Sequence, residues 1–144
     1  MDIRKEVLDI HGKHVNVKPD IIGDFRKMPF DDNSFSMVVF DPPHLRWAGQ
    51  NSIMRAQYGQ LSECWQDDLK LGFCECFRVL QPGGFLVFKW SDCQINVAEV
   101  LKLTSELPLF GNKRGKTHWL VFMKTNKYDK DRKADQDGRN QKSK

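Results

Sequence analysis

The stretch Ser36-Met37-Val38-Val39-Phe40-Asp41-Pro42-Pro43-His44 decides the fold. Its apolar run is short and unbroken, which suits a strand buried on both faces of a parallel sheet flanked by helices. Proline cannot continue a sheet ladder, so the strand is expected to stop at Asp41. In open α/β sheets ligands bind just beyond the carboxyl ends of the strands. Asp41 therefore falls where such folds keep their chemistry, on a backbone stiffened by Pro42 and Pro43.

Around this stretch the 144-residue chain has room for one domain. Hydrophobic content of 40% with 29% charge is ordinary for a soluble globular protein, and no apolar run reaches the roughly 20 residues of a membrane span. The start, Met1-Asp2-Ile3-Arg4, has no secretory pattern. Cys64, Cys74, Cys76 and Cys93 form no CxxC pair, which points to reduced thiols in a cytoplasm-like compartment. The net charge of +4 lies wholly in the end of the chain from Lys124 onward. The expectation is a folded domain over 1–124 and a disordered basic tail over 125–144, solvated or acting as a phosphate-binding arm.

Along the chain, residues 1–18 read as polar and mixed, with a turn at His11-Gly12-Lys13-His14 whose histidines lack partners at metal-ligand spacing. Pro19 to Asp24 reads as a short strand ending in an acidic residue, and Asp31-Asp32-Asn33-Ser34 as a turn. Leu45 to Leu61 is a long polar connection, which is usually functional or mobile. Ser62 is expected to cap a helix reaching Leu80, with a core stripe of Trp65, Leu69, Phe73, Cys76, Phe77 and Leu80, ended by Gln81-Pro82-Gly83-Gly84. Phe85-Leu86-Val87-Phe88-Lys89-Trp90 forms a second apolar strand. Asp92 opens a helix to about Leu107 that buries Ile95, Ala98 and Leu101. Pro108–Phe110 and Thr117–Met123 make a terminal hairpin around the basic loop Gly111–Lys116. This order predicts an α/β sheet, mostly parallel, with one antiparallel edge.

Three pieces in register carry a family resemblance: Gly23-Asp24 with Met28-Pro29-Phe30-Asp31-Asp32-Asn33-Ser34-Phe35, then Val38-Val39-Phe40-Asp41-Pro42-Pro43, then Arg78-Val79-Leu80-Gln81-Pro82-Gly83-Gly84. Together they resemble a class I S-adenosylmethionine-dependent methyltransferase with a Rossmann-like sheet. The resemblance implies S-adenosylmethionine as cofactor. It matches Asp2 to the acidic strand end that holds the ribose hydroxyls, and Asp24 and Phe25 to the adenine contacts. Asp41-Pro42-Pro43-His44 resembles the Asp/Asn-Pro-Pro-aromatic corner of enzymes that methylate planar nitrogens, especially exocyclic amines of nucleobases in DNA or RNA. Such a nitrogen is a poor nucleophile because its lone pair is delocalised. Asp41 and the Pro42 carbonyl could accept its hydrogens, and positioning would supply most of the rate. The fourth residue usually stacks on the base; here it is His44.

Arg46, Trp47, Lys89, Lys113, Arg114 and Lys116 are candidate substrate contacts, with Arg55 and His118 beside them, since cations interleaved with aromatics suit phosphates and bases. No metal is implied. The chain departs from the family in one large respect: it opens at what matches the end of the second strand, with no first strand and no Gly-rich loop. The strand Ser36–Phe40 is therefore expected to expose an apolar edge. Two accounts stand, a shortened form of a longer enzyme or a short form completed by a second chain. The rival functions are a non-catalytic nucleic-acid or partner-binding module and a methyltransferase for a protein amide or small amine.

Overall fold

Period-two and period-four apolar patterns divide the chain into strands and one long helix. The computed structural model describes residues 1–125, so all but the first residue of the expected tail lies outside the described residues. Strands β1 (Glu6–Ile10) and β2 (Lys13–Val17) form an antiparallel hairpin, followed by β3 (Phe35–Phe40), helix α1 (Ile53–Tyr58) and helix α2 (Trp65–Val79). Strand β4 (Leu80–Ser91), helix α3 (Val97–Leu101) and strands β5 (Phe110–Arg114) and β6 (Thr117–Met123) complete the order.

The main sheet runs β3-β4-β6-β5. Only β3 and β4 are parallel; β4 with β6 and β6 with β5 are antiparallel. The sheet is thus mixed, which corrects the expectation of a mostly parallel one. Thr117 to Met123 returns directly along β4 rather than entering at the edge, and so converts the middle of the sheet to antiparallel pairing.

Helix α2 makes the crossover from β3 to β4, as a parallel pair requires. Its stripe of Trp65, Leu69, Phe73, Cys76 and Phe77 is buried with Leu80 as the spacing predicts. It packs on Phe40, Leu86, Phe88, Trp90 and Phe122. Phe73 sits 5.0 Å from Phe88 and 5.6 Å from Phe40, ring to ring, in tilted and edge-on contacts. Gly72 lets the helix approach closely: a Cβ there would lie 2.7 Å from Phe40 Cζ and 2.8 Å from Phe25 Cδ2. The absence of a side chain on α2 is what lets the Phe25 ring sit against it.

The other face of the sheet is bare. Met37 and Val39 are 59% and 57% exposed, and Phe85, Phe110 and Trp119 are exposed on the same side. The expectation that Ser36–Phe40 is buried on both faces is therefore corrected. Among the described residues only one layer of helix covers the sheet, so the strand's unbroken apolar run has a core side and an open side. β3 is also an edge strand.

Several local expectations shift. Ser62 does not cap α2; Cys64 occupies that position and the Ser62 hydroxyl donates to Asp68 Oδ2 instead. The helix expected from Asp92 to Leu107 shortens to α3, because Asn96 caps it by accepting from the Ala98 N–H. Ala98 is exposed, and Val100 takes the buried position with Ile95. Pro19–Asp24 contributes a single parallel bridge, Ile22 to Asp2, rather than a strand. Residues 1–18, read as polar and mixed with a turn at 11–14, hold the β1–β2 hairpin, and its turn is His11-Gly12 at φ +53° and +74°. The basic loop 111–116 is mostly β5, with Gly115-Lys116 as its two-residue turn.

Replacing Gly72 with Val drives a branched side chain into the Phe25 and Phe40 rings. The expected cost is roughly 1–3 kcal/mol of stability, read from the denaturant midpoint. An unchanged midpoint would mean that the helix is not held against these rings.

Candidate functional site

The parallel register of β3 on β4 pairs Phe40 with Phe88, so Asp41 leaves the sheet level with Lys89. Lys89 Nζ donates to Asp41 Oδ2 at 2.7 Å, and its ammonium lies 5.6 Å from the centroids of both Tyr58 and Trp119. A cation over two ring faces is held by their quadrupoles as well as by the carboxylate. Trp119 comes from the cross-strand partner position of Lys89 on β6. Tyr58 comes from the last turn of α1, and Gly59 at φ +76° ends that helix against Pro43.

Two cavities meet at this corner. The larger, about 700 Å³, runs along the free edge of β3 and is lined by Asp2, Asp24, Phe25, Asp41 and Tyr58 among others. Asp2, Asp24 and Phe25, matched to cofactor binding, thus border one space together with Asp41, of a size usual for cofactor sites. The smaller, about 160 Å³, lies on the far side of Asp41 and is lined by His44, Met54, Tyr58, Lys89 and Cys93. Asp41 and Tyr58 border both.

The two acidic residues of the larger cavity share a local device. Arg4 donates to Asp2 from its backbone N–H (2.8 Å) and from its guanidinium, and Arg26 does the same to Asp24. Burial pushes the Asp2 carboxyl up, but the Arg4 hydrogen bonds and charge outweigh it and hold it below the usual carboxylate range. The Arg26 hydrogen bonds hold Asp24 below that range as well, against a smaller effect of burial. Arg4 continues to the Ala56 and Gln57 carbonyls, tying the start of the chain to the end of α1, and Arg26 continues to Asp68 on α2. Phe25, between Asp24 and Arg26, lines the same cavity and makes no backbone hydrogen bond outside the helices and strands among the described residues.

His44 is only 9% exposed, with its ring 6.0 Å from Tyr58 and 6.4 Å from Trp90. It forms the floor of the smaller cavity rather than an open stacking platform. Burial pushes its imidazole below the usual value; Asp41 pulls it partly back and Lys89 pushes it down further. Pro42 is buried and Pro43 half-buried.

The remaining candidates are spread along the rim. Gln94 clamps the connection after the corner: its Oε1 accepts from the Arg46 and Trp47 N–H groups, and its Nε2 donates to the Trp47 carbonyl. The Trp47 ring itself is 74% exposed. Arg55 donates to the Ala48 carbonyl within the same connection. Asp92 gathers Lys113 (3.3 Å) and His118 (2.6 Å), and accepts from the Val97 N–H. Burial pushes its carboxyl up, but these partners hold it low. Arg114 and Lys116 are exposed at the end of the β5–β6 hairpin. The structure therefore gathers Asp2, Asp24, Phe25, Asp41, His44 and Lys89 around the two cavities, and leaves Arg46, Trp47, Lys113, Arg114 and Lys116 outside them. Sequence reasoning did not single out Tyr58, Gln94 or Asp92 as site residues. No helix among the described residues is long and apolar enough to cross a membrane.

No family model and no curated protein matches the chain. Solved structures do. The crystal structure of PH0226 protein from Pyrococcus horikoshii OT3 is similar, with a TM-score of 0.54 and 17% identity over 73% of this chain and 58% of that one. TTHA0409 from Thermus thermophilus, named "Putative DNA Modification Methylase", is similar at a TM-score of 0.45 and 21% identity, over 72% of this chain and 52% of that one. The first likeness shows a shared fold; the second is too slight to argue from. The chain matches little more than half the length of either protein.

A pH consequence follows from His44. Below about pH 6.5 the unfolded chain takes up a proton that the folded imidazole refuses. Stability should therefore fall as pH drops through that value, until the folded ring itself protonates. Replacing His44 with Gln should flatten this part of the stability–pH profile. Parallel profiles for the two proteins would show that His44 is not held neutral.

Proposed function

We propose that the chain is the acceptor-binding and part of the cofactor-binding portion of an S-adenosylmethionine-dependent methyltransferase acting on a planar nitrogen, the exocyclic amine of a nucleobase in DNA or RNA. One observation carries the reading: Asp41, at the head of Asp41-Pro42-Pro43-His44, borders both a cofactor-sized cavity and a second, smaller cavity on its other side.

The residues present suit such a cofactor in part. Asp2 would hold the ribose hydroxyls through the acceptor capacity Arg4 leaves on Oδ2, and Phe25 would donate its backbone N–H to the adenine ring. Asp24 suits the adenine amine less well, because Arg26 already reaches both its oxygens. When bound, S-adenosylmethionine supplies an electrophilic methyl group and retains the electron pair of the broken C–S bond on sulfur. The chain's own part is to aim the nitrogen. Asp41 accepts one amine hydrogen and the Pro42 carbonyl another, which favours a more tetrahedral nitrogen with its lone pair directed into the larger cavity. As the N–C bond forms, Asp41 or solvent takes the surplus proton. His44 and Tyr58 contact the ring that carries the amine. The exposed Trp47, Arg46, Lys113, Arg114 and Lys116 would meet the surrounding nucleic acid. The free edge of β3 would take one further strand, from a segment preceding Met1 or from a second chain.

A rival reading is favoured by the arginine clamps. With Asp24 engaged on both oxygens and Asp2 partly engaged, the same fold could serve as a binding module without catalysis. Calorimetry with S-adenosylhomocysteine separates the two. The expectation is binding by the chain, or by a form extended before Met1, and transfer of labelled methyl groups to nucleic acid. Asp41→Ala should lower that transfer by about 10²-fold or more while the cofactor still binds. Heat from neither form would sink the enzyme reading in favour of the module.

A further inference from the structure

Lys89 occupies a place that an incoming substrate cation would otherwise find attractive. Two aromatic faces and a carboxylate make a complete cation site, and the protein's own ammonium fills it. The same contact divides the Asp41 carboxylate. Oδ2 accepts from Lys89, while Oδ1 has no hydrogen-bond partner among the described residues. We propose that Lys89 is the positioning and specificity residue of the acceptor corner: it fixes the Asp41 carboxylate by Oδ2 so that Oδ1 alone meets the acceptor, and its captive charge excludes protonated amines.

The inference rests on the methyltransferase reading and sharpens its substrate class. An aliphatic amine is protonated near neutral pH and carries no lone pair to attack with. To reach Oδ1 as a cation it would have to enter the 160 Å³ cavity that Lys89 itself lines, against a like charge only partly screened by solvent. An amide or aromatic amine is neutral, offers two hydrogens to Oδ1 and a carbonyl, and meets no such barrier. Aspartate alone would bind either class of amine, and with Lys89 in place it discriminates.

The cage can be tested without cofactor or nucleic acid. n-Butylammonium chloride is titrated against a sodium chloride control while the Trp119 indole N–H resonance, assigned with Trp119→Phe, is followed by NMR. The wild-type resonance should not respond to the ammonium ion beyond the control. Lys89→Ala, which vacates the cage, should show a saturable shift, and Lys89→Met, which fills it without charge, should show at most a weak one. Lys89→Met also reports if the alanine variant fails to fold. A wild-type shift equal to that of Lys89→Ala, or none in Lys89→Ala, overturns the proposal.

The second arm uses methyl transfer from S-adenosylmethionine to an oligonucleotide containing all four bases. Lys89→Met should lower kcat at least tenfold with KM within about twofold, and Lys89→Arg should recover part of the loss. A rise in KM with a shallower salt dependence would instead make Lys89 a phosphate contact and overturn the positioning role. No transfer by any form, with the NMR result as expected, counts against the methyltransferase reading and leaves the cage assignment standing.

Discussion

The parallel register of β3 on β4, with Phe40 beside Phe88, sets Asp41 level with Lys89 at the carboxyl end of the sheet. The pairing is held from the core side by Phe73 of α2, which contacts both Phe40 and Phe88. A slip by one residue would turn Phe40 toward the bare face and bring Met37 and Val39 inward, at the cost of the aromatic cluster. The site is therefore anchored by packing that lies wholly beneath it. From the other side, β6 brings Trp119 beside Lys89 through its own antiparallel register. Three strands thus supply an aspartate, a lysine and a tryptophan, and α1 adds Tyr58.

Much of this was legible in the sequence because it rests on local signals. The α2 stripe follows helical spacing, and the prolines after Asp41 mark where the strand must end. The site residues Asp2, Asp24 and Phe25 came from a resemblance, and they do share one cavity wall with Asp41. The arginine clamps were also readable: Asp2-Ile3-Arg4 and Asp24-Phe25-Arg26 repeat one Asp-x-Arg spacing, in which the backbone N–H and guanidinium both turn back on the carboxylate. The β1–β2 hairpin had a signal too, in the alternation of Val15 and Val17 after a Gly-containing turn.

What was not legible depends on long-range partners. An unbroken apolar strand looks the same whether helices cover one face or both, so the exposure of Met37 and Val39 could not be read from Ser36–Phe40. The mixed sheet arises because β6 enters beside β4, and strand order leaves no mark in local periodicity. Tyr58, Gln94 and Asp92 sit in no motif. Each matters through residues at least 20 positions away: Lys89, the 46–47 backbone, and Lys113 with His118.

The connection from Leu45 to Leu61 lies outside the sheet ladder, and it is fastened by a few discrete ties. Gln94 grips it at Arg46 and Trp47, Arg4 grips the end of α1, and the Leu61 N–H returns to the Leu45 carbonyl. Its two ends are thus pinned together while the residues between them form a closed excursion. Insertions or exchanges within that excursion can lengthen or reshape the rim without altering how β3 meets β4. The fold separates the sheet end that carries Asp41 and Lys89 from most of the rim around it, and lineages or designers can vary that rim, Tyr58 excepted, while inheriting the sheet unchanged.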